Sequence, residues 1–398
     1  MKPLDGIKVL DLSRVLAGPW CTQLLADLGA DVIKIERPGM GDDTRHWGPP
    51  WLGEGDDRVA AYFLSCNRGK RSAAIDFAQA EGGALVRDLA ADADIIVENF
   101  KVGGLKKFGL DAASMRAAHP KLIYASITGF GQDGPYADRA GYDFIIQGMG
   151  GMMSVTGLPD DEPGGGPMRA GVAIVDLFTG MYTCVAILAS LYRRQASGEG
   201  AHIDMALFDT QLAIMANQAS NALVSGKDPP RQGNTHPNIV PYQPFEAEDQ
   251  PVIIAVGNDR QFARLASICG HSEWVGDERF ASNAARVAHR DEMVRLVAEV
   301  IRTKPAAEWL DQLEAAGIPA GPINTLTQAL SDVQAQHRQM VRSIAGTSMV
   351  GSPVRVDGER ADSDFPPPAL GQHTDEVLAA LGVGSEQVER LRRAKVIG

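Results

Sequence analysis

Cysteine is scarce in this sequence. Its four copies, Cys21, Cys66, Cys184 and Cys269, lie far apart and form no CxxC pair. That spacing excludes the disulfide framework of a small secreted domain and the ligand set of a zinc ribbon. Histidine is equally thin: the 8 copies are scattered, and neither HxH nor HExxH occurs, so no metal is expected. GxSxG is missing, which leaves no place for a serine nucleophile elbow. GxGxxG is missing after the first predicted strand, which counts against an ordinary dinucleotide site. There is no basic block. Lys and Arg total 38 against 50 Asp and Glu, a net charge of −12, so neither nucleic acid nor an anionic membrane surface is an expected partner. The first residues, MKPLDG, lead straight into a predicted strand without an apolar signal core, and a cytoplasmic protein is expected.

What is present suits a large α/β protein. The 398 residues are comfortable for two domains, and 43 glycines with 23 prolines imply many tight turns. Runs at 7–12 and 32–36 read as strands around a helix at 20–28, a βαβ unit with a right-handed crossover. Further strands are predicted at 72–76, 94–97, 122–127 and 202–206, with helices at 80–91 and near 111–118 between them. This alternation predicts an open, doubly wound sheet with ligands at the carboxyl ends of its strands, where Arg37, Asn99 and Gly129 fall. Phe208, Leu212, Met215, Ala219 and Leu223 repeat at helical spacing and read as a core stripe. Composition shifts to proline-rich at Ser225, the expected crossover into a second domain with a strand at 252–256 and helices near 259–268, 284–302 and 305–316. Near the end, Thr374 is a plausible cap of a short helix.

Residues 169–192 form an apolar stretch holding one acid, Asp176, with no basic neighbour in sequence. A carboxylate in such company is costly unless hydrogen-bonded or in use. Three readings fit: a membrane span, a helix N-cap, or a reactive group at the mouth of a buried helix. The last two are compatible, because the amides of a helix start also hold a carboxylate ionised. The NRGKRS run at 67–72 is the densest basic cluster; it suits phosphate oxygens, and equally a solvated turn. Gly148, Gly150 and Gly151 follow no strand and read as helix packing rather than a phosphate loop.

A longer pattern runs through LDGIKVL at 4–10, AGP at 17–19, LGADVIKIE at 28–36, GDDTR at 41–45, NRGKRS at 67–72 and VENF at 97–100. It continues with GFG at 129–131, GVAIVDLFTG at 171–180, GNTHP at 233–237 and LGQHTDEVL at 370–378. In this order, over nearly the whole chain, the set resembles the family III coenzyme A transferases, or CaiB/BaiF family. The resemblance implies a Rossmann-like large domain from 1–224 and the returning 326–398, a smaller α/β domain at 225–325, and an interlinked homodimer. It implies that Asp176 is the nucleophile, forming an aspartyl anhydride and then an aspartyl-CoA thioester. Coenzyme A contacts implied in the same way are Val15, Leu16 and Ala17; Arg37; Ile75, Asp76, Phe77 and Ala78; Asn99, Phe100 and Lys101; Lys107; and Arg139, Ala140, Gly141 and Tyr142. Arg37 and Lys107 would meet phosphates. Acyl-CoA is then a substrate, and no tightly bound cofactor is expected. A carboxylate of near-normal pKa is ionised at neutral pH and needs no partner base.

Some family members carry Gln where Leu16 stands, and the glycine-run loop of the formyl-CoA branch is missing, which argues against formyl-CoA and oxalate. The similarity runs strongest toward members using small dicarboxylates, through residues 37–50, where Arg45 or His46 would meet a second carboxylate. Two alternatives remain open. An acyl-CoA racemase of the same superfamily moves an α-proton, but that branch has His before the Asp where Tyr142 precedes Asp143 here. A non-catalytic CoA-binding protein would have no use for Asp176.

Overall fold

The computed structural model describes residues 2–55 and 58–398. The chain divides into two compact units: Met1–Met152 with Arg169–Gly226 and Val333–Gly398, and Met153–Met168 with Lys227–Asp332.

In the first unit six short strands form one sheet: β1 Lys8–Asp11, β2 Asp31–Glu36, β3 Lys70–Ala74, β4 Ile95–Glu98, β5 Ile123–Thr128 and β6 Ala201–Ala206. All neighbours pair parallel, in the order 3-2-1-4-5-6. The order reverses between β1 and β4, which opens a crevice at their carboxyl ends. Alternation along the strands feeds two cores. Val9, Ile95, Val97, Ile123 and Ala125 face one side, and Leu10, Ile96, Leu122 and Tyr124 the other. The second face is completed by the helices Thr374–Ala380 and Ser385–Arg393 through Val377, Leu378 and Leu391. Thr374 is the first helical residue rather than the cap; its hydroxyl accepts from the Ala74 amide (3.0 Å) and donates to the Gly371 carbonyl (2.9 Å).

Helices α1 (Ala17–Asp27), α2 (Ala80–Ala91), α3 (Ala112–Ala118), α4 (Asp143–Met149) and α5 (Ile174–Ser197) follow in chain order. Helix α5 is long and apolar enough to cross a membrane by length and composition. One of its faces, through Val175, Thr179, Gly180, Cys184 and Ile187, is buried in the unit. Gly180 is where α5 meets α1: a Cβ there would stand 2.6 Å from the Ala17 carbonyl oxygen and 3.2 Å from the Cys21 amide. Both are backbone atoms, so they yield only if the helices separate. Gly180→Ala is therefore expected to destabilise the fold by about 1–3 kcal/mol, read as a lower denaturation midpoint.

The helix predicted from the stripe at 208–223 is two, α6 (Leu207–Ile214) and α7 (Ala216–Ser225), broken where Ala216 takes φ +43°. The stripe meets the core only at its start, where Phe208 packs against it; Leu212 is 48% and Leu223 85% exposed. Spacing identifies an apolar face but not what covers it.

The second unit holds an antiparallel sheet of β7 (Tyr242–Glu246), β8 (Pro251–Ala255) and β9 (Ala320–Pro322). The helices Asp259–Ile268, Asn283–Ala288, Arg290–Ile301 and Ala306–Ala315 pack around its own core. The helix expected at 284–302 is interrupted at His289. Residues 153–168, read in sequence as part of the large domain, group with this unit, and its far boundary is Asp332 rather than 325. A glycine- and proline-rich loop has no periodicity to reveal which core it joins.

Candidate active site

A cavity of about 440 Å³ opens at the carboxyl ends of β1, β4 and β5. The loop after β1 and the start of α1 supply Arg14, Val15, Leu16 and Ala17, and the loop after β4 supplies Asn99, Phe100 and Lys101. Thr128, Gly129, Arg139, Ala140, Gly141, Tyr142 and Leu207 complete the wall, and Asp176 stands in it. Gly129 and Gly141 touch backbone to backbone; a Cβ on either would come within 2.6 Å of the other's Cα.

Asp176 is the third residue of α5 and caps nothing. The cap comes instead from Asp143, whose Oδ2 accepts from the amides of Val175 (2.8 Å) and Asp176 (3.4 Å). Its Oδ1 accepts from Gln147 Nε2 at 2.6 Å, and Gln147 in turn accepts from the Ala170 amide. The start of the helix is thus spent on Asp143 and does not hold Asp176 ionised. Burial, with the Asp143 charge added, pushes the Asp176 carboxyl from 3.8 up to about 7. The near-normal pKa expected from sequence is corrected accordingly. Tyr62 lies close enough for the Asp176 charge to act on it; burial and that charge push its phenol up to about 12, so it stays protonated as a donor. Sequence reading weighed Asp143 only for the racemase alternative and missed Gln147 and Tyr62, which carry no motif.

A second cavity, of about 380 Å³, is lined by Arg37, Met40, Ile75, Asp76, Phe77 and Ala78, and shares Arg14 and Phe100 with the first. Phe77 packs edge-on against Phe100 (5.8 Å) and Phe108 (5.5 Å), and the Lys107 ammonium sits 4.7 Å from the Phe108 ring centre. Lys107 itself lines neither cavity. Beneath the β4 loop, Glu98 accepts from the Phe100 amide at 2.8 Å, and burial pushes its carboxyl up to about 7.

The basic cluster at 67–72 serves neither phosphate nor solvent. Arg68 is buried on Asp27 (2.5 Å) and Asp362 (3.0 Å), Lys70 on Asp11 (3.1 Å), and Arg71 bridges Asp31 and Glu376. Arg45 is 7% exposed, with Nε and Nη2 on the two Glu36 oxygens at 2.7 Å, its third contact the Pro368 carbonyl, and its plane 3.7 Å from the Phe63 ring centre. This is a fold contact, not the substrate contact expected. Arg45→Ala removes the guanidinium from the buried Glu36 carboxylate, leaving it the Ser72 hydroxyl and the Asp42 amide, and is expected to lower stability by on the order of 3 kcal/mol in denaturant titration. A substrate contact would instead raise KM with stability intact. His46 lies on the surface, with Nε2 2.9 Å from the Met40 carbonyl.

Comparison with known proteins shows the family to which the chain belongs. The sequence model of CoA-transferase family III matches residues 4–374. The chain is 50% identical over 395 residues to the succinate–glutarate CoA-transferase of Agrobacterium fabrum, covering 98% of this chain and 97% of that one. It is 42% identical over 383 residues to the succinyl-CoA:glutarate CoA-transferase of Mus musculus, covering 95% and 86%. A CaiB/BaiF family protein from Brucella suis has the same fold, with a TM-score of 0.85, 50% identity, and 96% and 99% of the two chains covered. A motif set read in order along the sequence, a Rossmann-order sheet and a carboxylate in the wall of its switch-point cavity converge with these matches: the chain belongs to CoA-transferase family III and is a CoA-transferase.

Proposed function

We propose that this enzyme moves coenzyme A from succinyl-CoA to glutarate or a similar small dicarboxylate, through covalent intermediates on Asp176. The observation that carries the reading is the desolvated Asp176 carboxylate in the wall of a cavity at the β1–β4 crevice. The nucleotide end of the thioester would occupy the cavity beside Arg37, and the pantetheine would pass Phe100 toward Asp176. An oxygen of ionised Asp176 attacks the thioester carbonyl; the C–S bond breaks and the CoA thiolate leaves, giving the mixed anhydride. The thiolate attacks the aspartyl carbonyl and expels the donor carboxylate. The acceptor carboxylate then attacks the aspartyl thioester, forming a new anhydride and freeing the thiolate again. Thiolate attack on the acceptor's acyl carbon releases the new thioester and restores Asp176. A pKa near the working pH keeps the nucleophile part ionised yet poorly solvated, the combination that favours attack. Leu16, Ala17 and Leu207 give the cavity a buried apolar side that would limit access of water to the anhydride.

A racemase needs a second base across the substrate. Tyr142 is a phenol, 60% exposed, and Asp143 has both oxygens engaged by N–H donors. The relatives named succinate–glutarate and succinyl-CoA:glutarate CoA-transferase support the substrate pair. Incubating the enzyme with succinyl-CoA and glutarate, with products separated by mass spectrometry, is expected to give glutaryl-CoA and free succinate in equal amounts. Turnover with only other acceptors would overturn the substrate pair but not the route. Solvent deuterium entering the acyl α-carbon without transfer would overturn the route.

The assembly belongs to the proposal. Phe144, Ile145 and Met149 on α4, Phe178, Met181, Tyr182 and Val185 on α5, and Leu212 on α6 are exposed, more apolar surface than an isolated chain ordinarily presents. A second copy, interlinked with the first, would cover it, and light scattering would read twice the chain mass. Four free, buried cysteines suit a reducing compartment, here taken as the cytoplasm.

A further inference from the structure

Residues 13–15 run along the cavity wall just before α1, and every backbone polar group in them is held by a side chain. Asp11 Oδ1 accepts from the Ser13 amide (2.9 Å), and Lys34 Nζ donates to the Ser13 carbonyl (2.8 Å). Asn99 spans the next residue with both ends of its amide: Oδ1 accepts from the Arg14 N–H (2.8 Å) and Nδ2 donates to the Arg14 carbonyl (2.6 Å). Asp42 Oδ1 accepts from the Val15 N–H (3.3 Å), and Cys66 Sγ donates to the Val15 carbonyl (3.7 Å). Lys34 and Asp42 are themselves a fully buried pair at 2.9 Å. The donors and acceptors come from β1, β2 and three loops. Between them Val15 takes φ +71°, a left-handed conformation that a β-branched residue avoids.

We infer that Asn99, with the buried Lys34–Asp42 pair, is a positioning device for the reaction. It clamps Arg14 and so holds Val15 in its strained turn, which sets where α1 begins beside Asp176. Both ends of the Asn99 amide are already engaged by Arg14. As a clamp on Arg14 and Val15 it is expected to act on the chemical step more than on binding, because a small misplacement at the reacting centre costs rate steeply. The kinetic arm rests on the proposed donor; the exchange and binding arms do not.

The test is Asn99→Ala, alone and with Val15→Gly. In Asn99→Ala, kcat is expected to fall by about ten- to a hundredfold, with the dissociation constant for free coenzyme A by calorimetry changed less than about threefold. Amide hydrogen exchange in the peptide spanning 12–20 should quicken. Glycine adopts φ +71° without strain, so the same Asn99→Ala change made in the Val15→Gly background is expected to cost kcat several-fold less. Should Asn99→Ala not fold, Asn99→Asp, which keeps the acceptor for Arg14, reads the same split. Weaker coenzyme A binding with unchanged exchange, or an equal kcat loss in both backgrounds, would overturn the inference. A wild-type enzyme that turns over no succinyl-CoA would sink the proposed donor and leave the exchange and binding arms to decide the clamp.

Discussion

Asp176→Asn is expected to abolish transfer, by about 10⁴-fold or more, while making the protein more stable at and above neutral pH. The loss of activity follows from the route: an amide nitrogen or oxygen has no charge with which to open the thioester, and among the described residues no other carboxylate lines the cavity. The gain in stability follows from the environment. Asp176 titrates near 3.8 unfolded and at about 7 folded, so the folded state prefers it protonated. Whatever that preference contributes is fully present below pH 4 and is lost as pH rises through 7. The neutral amide does not ionise. Variant and wild type should therefore match at pH 4, and the variant should lead at pH 8 by on the order of 2–4 kcal/mol, because each tenfold change in the ionisation equilibrium is worth about 1.4 kcal/mol. Denaturant midpoints at the two pH values measure it. A variant less stable than wild type at pH 8 would mean that the carboxylate is favourably held, which contradicts a desolvated nucleophile.

The second large effect comes from Asp143→Asn. Asparagine is as good a helix cap as aspartate, so the amides of Val175 and Asp176 keep an acceptor. The amide that faces Gln147 must turn or lose one bond, at about 1 kcal/mol. What disappears is the negative charge beside Asp176. The acid limb of the rate profile, set by ionisation of Asp176, should move to lower pH. At pH 6 the variant should retain roughly three- to tenfold more of its own plateau rate than wild type does. The limb will not fall to 3.8, because burial is the larger cause of the raised pKa and remains. An unmoved limb would show that Asp143 acts on Asp176 through position alone.

Much of the fold was legible because it is local. Strands 32–36 and 122–127 are short runs buried on both faces, and the helix at 80–91 was readable to the residue. Asp176 was legible as an oddity of charge among apolar neighbours. Its electrostatics were not, because the group that takes the helix cap, Asp143, is 33 residues away on α4. The Arg68, Lys70 and Arg45 readings failed for a related reason. A basic side chain in a loop resembles an anion site until the buried acids that neutralise it, Asp27, Asp11 and Glu36, are brought beside it by the sheet. Asn99 lines the cavity, yet its amide is turned on Arg14. Leu212 and Leu223 show the limit of periodicity, which marks an apolar face without saying whether the same chain or another covers it.

The most direct measurement is peptide mass mapping after brief incubation with succinyl-CoA and quenching with hydroxylamine, which converts an aspartyl anhydride or thioester to a hydroxamate. The expected result is a hydroxamate on the peptide containing Asp176, dependent on succinyl-CoA and missing from Asp176→Asn. Steady transfer to glutarate with that peptide unmodified throughout, or with the adduct on another residue, would contradict a covalent route through Asp176.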